Sequence, residues 1–279
     1  MPDVLRLAAF TDTPEGGNPA GVVLDASALT DAQMQAIAAD VGYSETAFIT
    51  DPRAHTVRYF SPAAEVPFCG HATIATAVAL AERDGPGEVT LATQAGPVAV
   101  ATQADDDGNL TATLTSVAPH VEHATDLDAA LGALGWIHED LDPDLPPRVA
   151  YAGARHLILA ARTRDRLAAL DYAFEKLKGY MSARDLTTVD LVHRDATDPT
   201  TFHARNPFPV GGVVEDPATG AAAAAFGAYL RDLDIVTPPA RVTIHQGHDM
   251  GRPSLLHVDL DPGRATGVRV TGRAVRIGA

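Results

Sequence analysis

Residues 65–80 read EVPFCGHATIATAVAL, and 150 residues further on residues 215–230 read EDPATGAAAAAFGAYL. Set one above the other, Glu65 meets Glu215, Pro67 meets Pro217, Gly70 meets Gly220, Ala72 meets Ala222 and Leu80 meets Leu230. Two alanine-rich helices would match in their alanines whatever their history. They would not share a Glu-x-Pro-x-x-Gly frame, because that frame lies in the turn before each helix, where helix periodicity has no say. The chain therefore reads as two related halves, each built round a helix that is small and apolar on every side and so fit for burial.

The flanks of the two segments repeat the same order. In the first half, strands are expected at 4–10, 17–26, 44–50 and 55–61, with a helix over 29–42 that Thr30 caps and Gly42 stops. Alternating β-runs follow the first buried helix at 88–94, 96–103 and 109–117. The second half offers strands at 148–153, 156–162, 187–193 and 200–208, a helix near 175–185, and β-runs at 241–247, 254–260 and 267–278. Residues 120–147 are acidic and rich in proline, with one short helix at 126–134, and read as connection and solvated surface. The expected division is 1–120 and 121–279, with the first domain able to regain the C-terminal strand. The fold class is α+β: two pseudo-symmetric domains, each a sheet or barrel wrapped round a central helix.

Composition narrows the function. A chain of 279 residues with 46% hydrophobic residues can bury a full core. A net charge of −15 argues against a nucleic-acid or anionic-membrane surface. No apolar run approaches the ~20 residues of a membrane span, and the N-terminal stretch lacks the basic-then-apolar order of a signal peptide. A single cysteine allows no internal disulfide, which suits a reducing cytoplasm.

Each buried helix presents unpaired N–H groups and a positive dipole end at its start, a receptor for a carboxylate or enolate. The small residues Gly70, Ala72, Gly220, Ala221 and Ala222 let substrate atoms approach the backbone. Two related halves would bring two such helix starts to one cleft that takes a small anionic metabolite. Three ionisable residues suit it. Glu45, in YSETAFIT, stands at the mouth of an apolar strand, where desolvation would raise its pKa and equip it to exchange protons with carbon. His71 at a helix start is a donor kept neutral by the dipole, and Asp216 has the position of a helix cap. No His-rich cluster has metal-ligand spacing and no glycine-rich loop follows a strand, so neither metal nor organic cofactor is expected.

Five segments taken in order resemble the phenazine-biosynthesis isomerase family (PhzF-like proteins). They are FTDTPEGGNPAGVVLDA (10–26), VGYSETAFI (41–49), RYFSPAAEVPFCGHATIATA (58–77), GGVVEDPATGAAAAAFGAYL (211–230) and QGHDMGRPSLLHV (246–258). The resemblance implies the diaminopimelate-epimerase type of fold, a homodimer, and a cofactor-independent isomerase that moves a proton on a small cyclic or conjugated carboxylic acid. It implies Glu45 as the acid/base, His71 and Asp216 as residues that hold substrate and assist proton movement, and Asn18, Gly70, Ala72, Thr219, Gly220 and Ala221 as substrate-binding positions. One departure is visible: the family often reads Gly-Ser-Ala where this chain has Gly220-Ala221-Ala222, so a hydroxyl for a substrate carboxylate is missing.

Three rivals stand beside this reading. Related epimerases use two cysteines, one at each helix start. Cys69 holds the first place, while the second falls at Pro217 or Thr219, so a two-thiol inversion is excluded. A racemase with Glu45 and Asp216 as unlike bases, and a non-catalytic metabolite-binding protein, are the first two rivals. The third is a cysteine hydrolase on Cys69 and His71, which is disfavoured because residues two apart at a helix start are expected to point in different directions and no oriented third group is evident.

Overall fold

A computed structural model describes residues 2–278. The chain divides into two compact units, residues 1–115 with 271–279, and residues 116–270. The first unit opens with β1 (Leu5–Ala9) and β2 (Asn18–Val23), then α1 (Asp31–Val41), β3 (Glu45–Asp51), β4 (Thr56–Phe60) and the two-residue β5 (Glu65–Val66). The long α2 (Gly70–Asp84) follows, then β6 (Glu88–Thr93), β7 (Gly96–Ala104) and β8 (Leu110–Thr115).

The second unit runs β9 (His120–His123), α3 (Leu127–Leu134), β10 (Arg148–Tyr151), β11 (Arg155–Ala160), α4 (Arg164–Ala168), α5 (Phe174–Ser182), β12 (Thr188–Arg194) and β13 (Thr201–Pro207). After the two-residue β14 (Glu215–Asp216) come α6 (Gly220–Asp232), β15 (Ala240–Gln246) and β16 (Ser254–Leu260). The final strand, β17 (Arg269–Arg276), delivers its later residues to the first unit, where Leu7 faces Arg276 and Ala9 faces Ala274.

In the first unit β1 pairs antiparallel with β2, β2 parallel with β3, and β3 antiparallel with β4. β4 meets β6 in parallel, and β6, β7 and β8 continue antiparallel. β17 then joins β8 back to β1. The ring closes round α2, whose residues 71–81 are all buried. That burial explains the composition of the helix. Alanines let strands approach from every side, and its threonines turn their hydroxyls back onto the helix, Thr73 donating to the Cys69 carbonyl at 2.7 Å and Thr76 to that of Ala72 at 2.7 Å. On the outer face Met34 and Ala38 of α1 pack on Val23, Phe48 and Phe60. Thr30 and Gln33 close a reciprocal cap at its start, and Gly42 ends it in the left-handed region at φ 71°.

The second unit repeats the pairing: β10 with β11 antiparallel, β11 with β12 parallel, β12 with β13 antiparallel, β13 with β15 parallel, and β15 with β16 antiparallel. Here α6 is the buried helix, packed on β9 to β12 and β16. Each two-residue strand is tied to its neighbour by a forked ion pair. Arg58 grips Glu65 through two contacts of 2.7 Å, and Arg205 grips Glu215 at 2.9 and 2.5 Å.

Residues 120–147 depart from the expected surface connection. His120–His123 form a strand against β10, and Trp136 and Leu141 belong to the apolar layer of α3 and α5 on β11 and β12. Widely spaced apolar anchors inside an acidic run are enough to bury it; average composition hides them. No helix among the described residues is long and apolar enough to cross a membrane.

Candidate active site

In the first unit three elements converge at the start of α2. Glu45 is the first residue of β3, Asn18 the first of β2, and Cys69 is the N-cap of the helix. His71 Nε2 lies 3.4 Å from Glu45 Oε2, and Cys69 Sγ lies 3.5 Å from the same oxygen. The side-chain nitrogen of Asn18 lies 3.1 Å from His71 Nδ1. An amide nitrogen only donates, so Nδ1 accepts and the neutral ring carries its proton on Nε2. That N–H faces Glu45 and the Ser44 hydroxyl, which is 3.4 Å away. The Glu45 side chain is 14% exposed, and burial raises its pKa above the ordinary carboxylate value, with Ser44 and Cys69 opposing by hydrogen bonding to the anion. Gly17 makes the tight entry to β2: its φ is +62°, and a Cβ there would sit 2.3 Å from the Ala9 carbonyl oxygen. Gly70 and Ala72 flank His71 in the first helical turn, and Ala72 is fully buried.

Cys69 and His71 do not point apart. Sγ lies 3.4 Å from His71 Nδ1. The expectation fails because Cys69 is not on the helical lattice: as the N-cap it has extended backbone angles, φ −146° and ψ 118°, which swing its side chain back over the second helical residue. Glu45, Cys69 and His71 thus offer three potential ligand atoms within 4.8 Å of one another, a grouping that no ligand spacing in the sequence announces.

In the second unit the corresponding N-cap is Thr219, so of the two places for a second cysteine it is Thr219, not Pro217, that matches Cys69. Asp216 is not the helix cap. It sits on β14, opposite Asn206, and accepts from the Thr219 hydroxyl at 2.6 Å. The proline turn between them keeps Asp216 outside the helix. Gly220 opens α6, buried like Ala222, while Ala221 is partly exposed.

Sequence reasoning missed Gln246. Its buried side chain accepts from the Thr219 amide at 3.1 Å and donates to the Asp216 carbonyl at 2.8 Å, clamping the turn that carries Asp216. Gly247 follows it because a Cβ there would come within 2.7 Å of the Pro217 carbonyl oxygen. A Gln-Gly pair ending the strand after a buried helix is the signal that could have found it.

Residues 7–278 match the family model described as phenazine biosynthesis-like protein. The chain belongs to that family. As a phenazine-biosynthesis-like protein it is an isomerase, and its fold is the α+β, epimerase-like one. An uncharacterized isomerase of Bacillus subtilis, YfhB, is 32% identical over 98% of this chain and 96% of its own length. The trans-2,3-dihydro-3-hydroxyanthranilate isomerase of Pseudomonas fluorescens is 32% identical over 100% of this chain and 98% of its own. Among solved structures, a Bacillus anthracis phenazine biosynthesis protein of the PhzF family superposes with a TM-score of 0.87 at 27% identity, over 99% of this chain and 96% of that one.

Proposed function

We propose that this isomerase moves a proton between two carbons of a small conjugated carboxylic acid, with Glu45 as the acid/base. The observation that carries the reading is the Glu45 carboxyl itself. It is held at the mouth of β3 beside His71, and burial raises its pKa toward the range in which a carboxyl can both give and take a proton. Glu45 removes a proton from a saturated carbon beside the conjugated system of the acid, the electron pair moves through that system, and the same carboxyl returns the proton to a second carbon. No atom is gained or lost, and no cofactor enters.

His71 presents Nε2–H beside the carboxyl, where it bonds a substrate oxygen as charge builds there, and Asn18 holds the tautomer that makes this possible. Backbone N–H groups of the first turn of α2, beside Gly70 and Ala72, supply further donors. In the second unit Asp216, fixed by Thr219 and Gln246, is proposed to hold substrate, with Gly220 and Ala221 at its helix start. The relative from Pseudomonas fluorescens is named for isomerising trans-2,3-dihydro-3-hydroxyanthranilate, a ring acid whose amine and hydroxyl stand on saturated carbons beside a conjugated diene, and cyclic conjugated carboxylic acids of that kind are the substrate class proposed. We also propose a homodimer in the cytoplasm, which sedimentation and cell fractionation test.

The decisive assay follows absorbance and deuterium incorporation in D₂O, with trans-2,3-dihydro-3-hydroxyanthranilate and a panel of cyclic conjugated carboxylic acids. The wild-type chain turns over or exchanges at least one compound, and Glu45→Gln abolishes it. Exchange that survives Glu45→Gln overturns the assignment, and inversion of configuration at the exchanged carbon would favour a two-base racemase. The short Cys69 to His71 distance favours one second reading, a thiol nucleophile. Cys69→Ser decides between them: a proton-shift isomerase keeps its turnover, whereas a thiol hydrolase loses it.

A further inference from the structure

We propose that the segment from His245 to His248 is a proton-gated clamp on the turn that carries Asp216: it holds the turn while the histidines of this face are neutral and releases it when they are charged. The consequence for substrate rests on the reading that Asp216 holds substrate; the gating of the turn does not.

The segment meets the turn at two places. Gln246 sets its side-chain oxygen on the Thr219 amide at 3.1 Å, and its nitrogen donates to the Asp216 carbonyl at 2.8 Å and to the Thr219 hydroxyl at 3.0 Å. That hydroxyl donates in turn to the Asp216 carboxylate at 2.6 Å, so Gln246 fixes both the backbone and the side chain of Asp216. Gly247 is the second place. At φ +74° it lies against two carbonyl oxygens: a Cβ there would come within 2.3 Å of that of Arg252 and 2.7 Å of that of Pro217. With no side chain between the two backbones, a shift of Gly247 either moves Pro217 or parts from it. The short turn His248–Met250 closes back on the Gly247 carbonyl through the Met250 amide at 3.1 Å and the Arg252 amide at 3.0 Å.

The other face of the same strand carries rings that can take a charge. Gln246 points inward and is buried, so His245 points outward. His245 is paired in register with His203 of β13, their ring centroids 5.5 Å apart, and its ring lies 5.4 Å from that of His248. On β16, the neighbour along the other edge of β15, His257 stands opposite Thr243 and so shares the face of His245. A proton on His245 therefore meets His203, His248 and His257, with Asp195 opposing; a proton on His248 meets His203 and Arg164, with Asp249 opposing. Both carboxylates are already engaged. Asp195 is 3.3 Å from His203 Nε2 and accepts from the Thr197 hydroxyl, and Asp249 accepts from one Arg164 nitrogen at 3.0 and 2.9 Å. Partial desolvation and then these neighbours hold His245 and His248 below the ordinary histidine value of 6.5.

Charging both rings sets like charges side by side. His245 is pinned, because its strand is bonded along both edges, to β13 and to β16. His248 is exposed on a short turn, so it is the partner that gives way, and Gly247 goes with it. Retreat of Gly247 parts it from Pro217 and draws Gln246 off the Thr219 amide, which frees Asp216. Both values are lowered on folding, so the clamp is complete above 6.5 and weakens as pH falls through them.

The first test needs no substrate. Amide hydrogen exchange of the ¹⁵N-labelled protein is followed at Thr219, whose N–H is the one that Gln246 accepts, and at Thr73, whose N–H bonds the Cys69 carbonyl in the other unit. Between about pH 7.5 and about pH 5.5, the range in which histidines charge, the Thr219 protection factor should fall at least about fivefold while that of Thr73 holds. In His248→Gln, a change at an exposed position that leaves the fold intact, the fall should shrink to less than about twofold; His245→Gln should do the same. Protection that is flat in wild type, that falls equally in His248→Gln, or that falls as much at Thr73 would overturn the clamp. Activity is read separately. KM should rise over the same range in wild type and stay level in His248→Gln, while the pH profile of kcat is shared by both. A clamp that opens without moving KM would remove the substrate-holding reading of Asp216 and leave the gate standing. A KM that rises with Thr219 still protected would overturn the gate.

Discussion

At the start of α2 the N-cap is Cys69, an imidazole follows at His71, and the carboxylate arrives from β3, far back in the chain. At the start of α6 the N-cap is Thr219, the imidazole position holds Ala221, and the carboxylate is Asp216, three residues before the cap. Pairing registers locate the residue that stands where Glu45 does. Thr46 faces Phe60, which faces Glu65; in the second unit Glu215 faces Pro207, and continuing the β12–β13 register two residues past the Leu191–Arg205 pair sets Pro207 against Val189, whose predecessor is Thr188. Thr188 has no acid to offer. It lies in a buried chain that runs from His156 Nδ1 through the Thr188 hydroxyl to Asn206, whose amide donates to Asp190 at 3.0 Å. The scaffold is duplicated and the chemistry is not. One unit sets a carboxylate beside an imidazole at this position; the other fills it with a hydroxyl that ties His156 to Asn206.

Changes at matched positions should therefore have unmatched effects. The largest is in catalysis. Glu45→Gln should lower turnover by about 10²–10⁴-fold, the usual worth of a positioned acid/base, while Cys69→Ser stays within about tenfold of wild type in the same assay. A reversed order would move the chemistry from the carboxyl to the thiol.

Next come the two forked ion pairs. The Arg205 and Glu215 side chains are 10% and 4% exposed, whereas those of Arg58 and Glu65 are each 23% exposed. Arg205→Ala strands a buried carboxylate and should cost about 3–5 kcal/mol; Arg58→Ala should cost nearer ~1 kcal/mol. Denaturant midpoints of the two variants measure the gap, and equal losses would mean that the second unit gains nothing from its deeper burial of the pair.

A smaller contrast concerns the glutamines after each buried helix. Gln246→Leu leaves the Thr219 amide and the Asp216 carbonyl without that partner and should cost about 1–3 kcal/mol, together with a rise in KM if Asp216 holds substrate. Gln94 bonds Glu65 at an exposed site, and Gln94→Leu should change stability by less than ~1 kcal/mol.

The smallest effect is a pH slope. Burial pushes the Asp190 carboxyl up to about 7 from its ordinary 3.8, with the bond from Asn206 opposing. A raised folded value means that its contribution to stability is complete below 3.8 and is lost as pH rises through about 7. Wild type should therefore lose melting temperature relative to Asp190→Asn as pH is raised across that window. His156, driven down to about 3 by burial, is common to both proteins and cancels in the difference. A flat difference would show that Asp190 ionises with its ordinary value.

The two central helices and the turns before them were legible in the sequence because they are local. Small residues on every face and a Glu-x-Pro-x-x-Gly frame need no tertiary partner to be seen. Glu45, His71 and Asn18 could be named through the family resemblance. Their meeting at one place could not, since it depends on two strands and a helix closing round one another. What stayed hidden had one local cause and several non-local ones. The swing of Cys69 onto His71 follows from one extended residue at a helix boundary. The clamp by Gln246 comes from a strand 30 residues beyond Asp216. The burial of Trp136 and Leu141 inside an acidic run is decided by α3 and α5 packing on a sheet whose strands come later in the chain.

The strand that closes the first unit is synthesised after the whole of the second. β1 needs β17 on one side, with Phe10 donating to the Arg273 carbonyl at 2.6 Å and Ile277 to that of Arg6 at 2.9 Å. The second unit is continuous in the chain and the first is not. Synthesis therefore meets the two units in different states: a continuous unit has all its strands once its own segment is made, whereas the first unit cannot complete its ring until the second has been made and β17 has followed it. The segment holding Glu45 and His71 precedes the whole of the second unit and keeps an open seam throughout that interval.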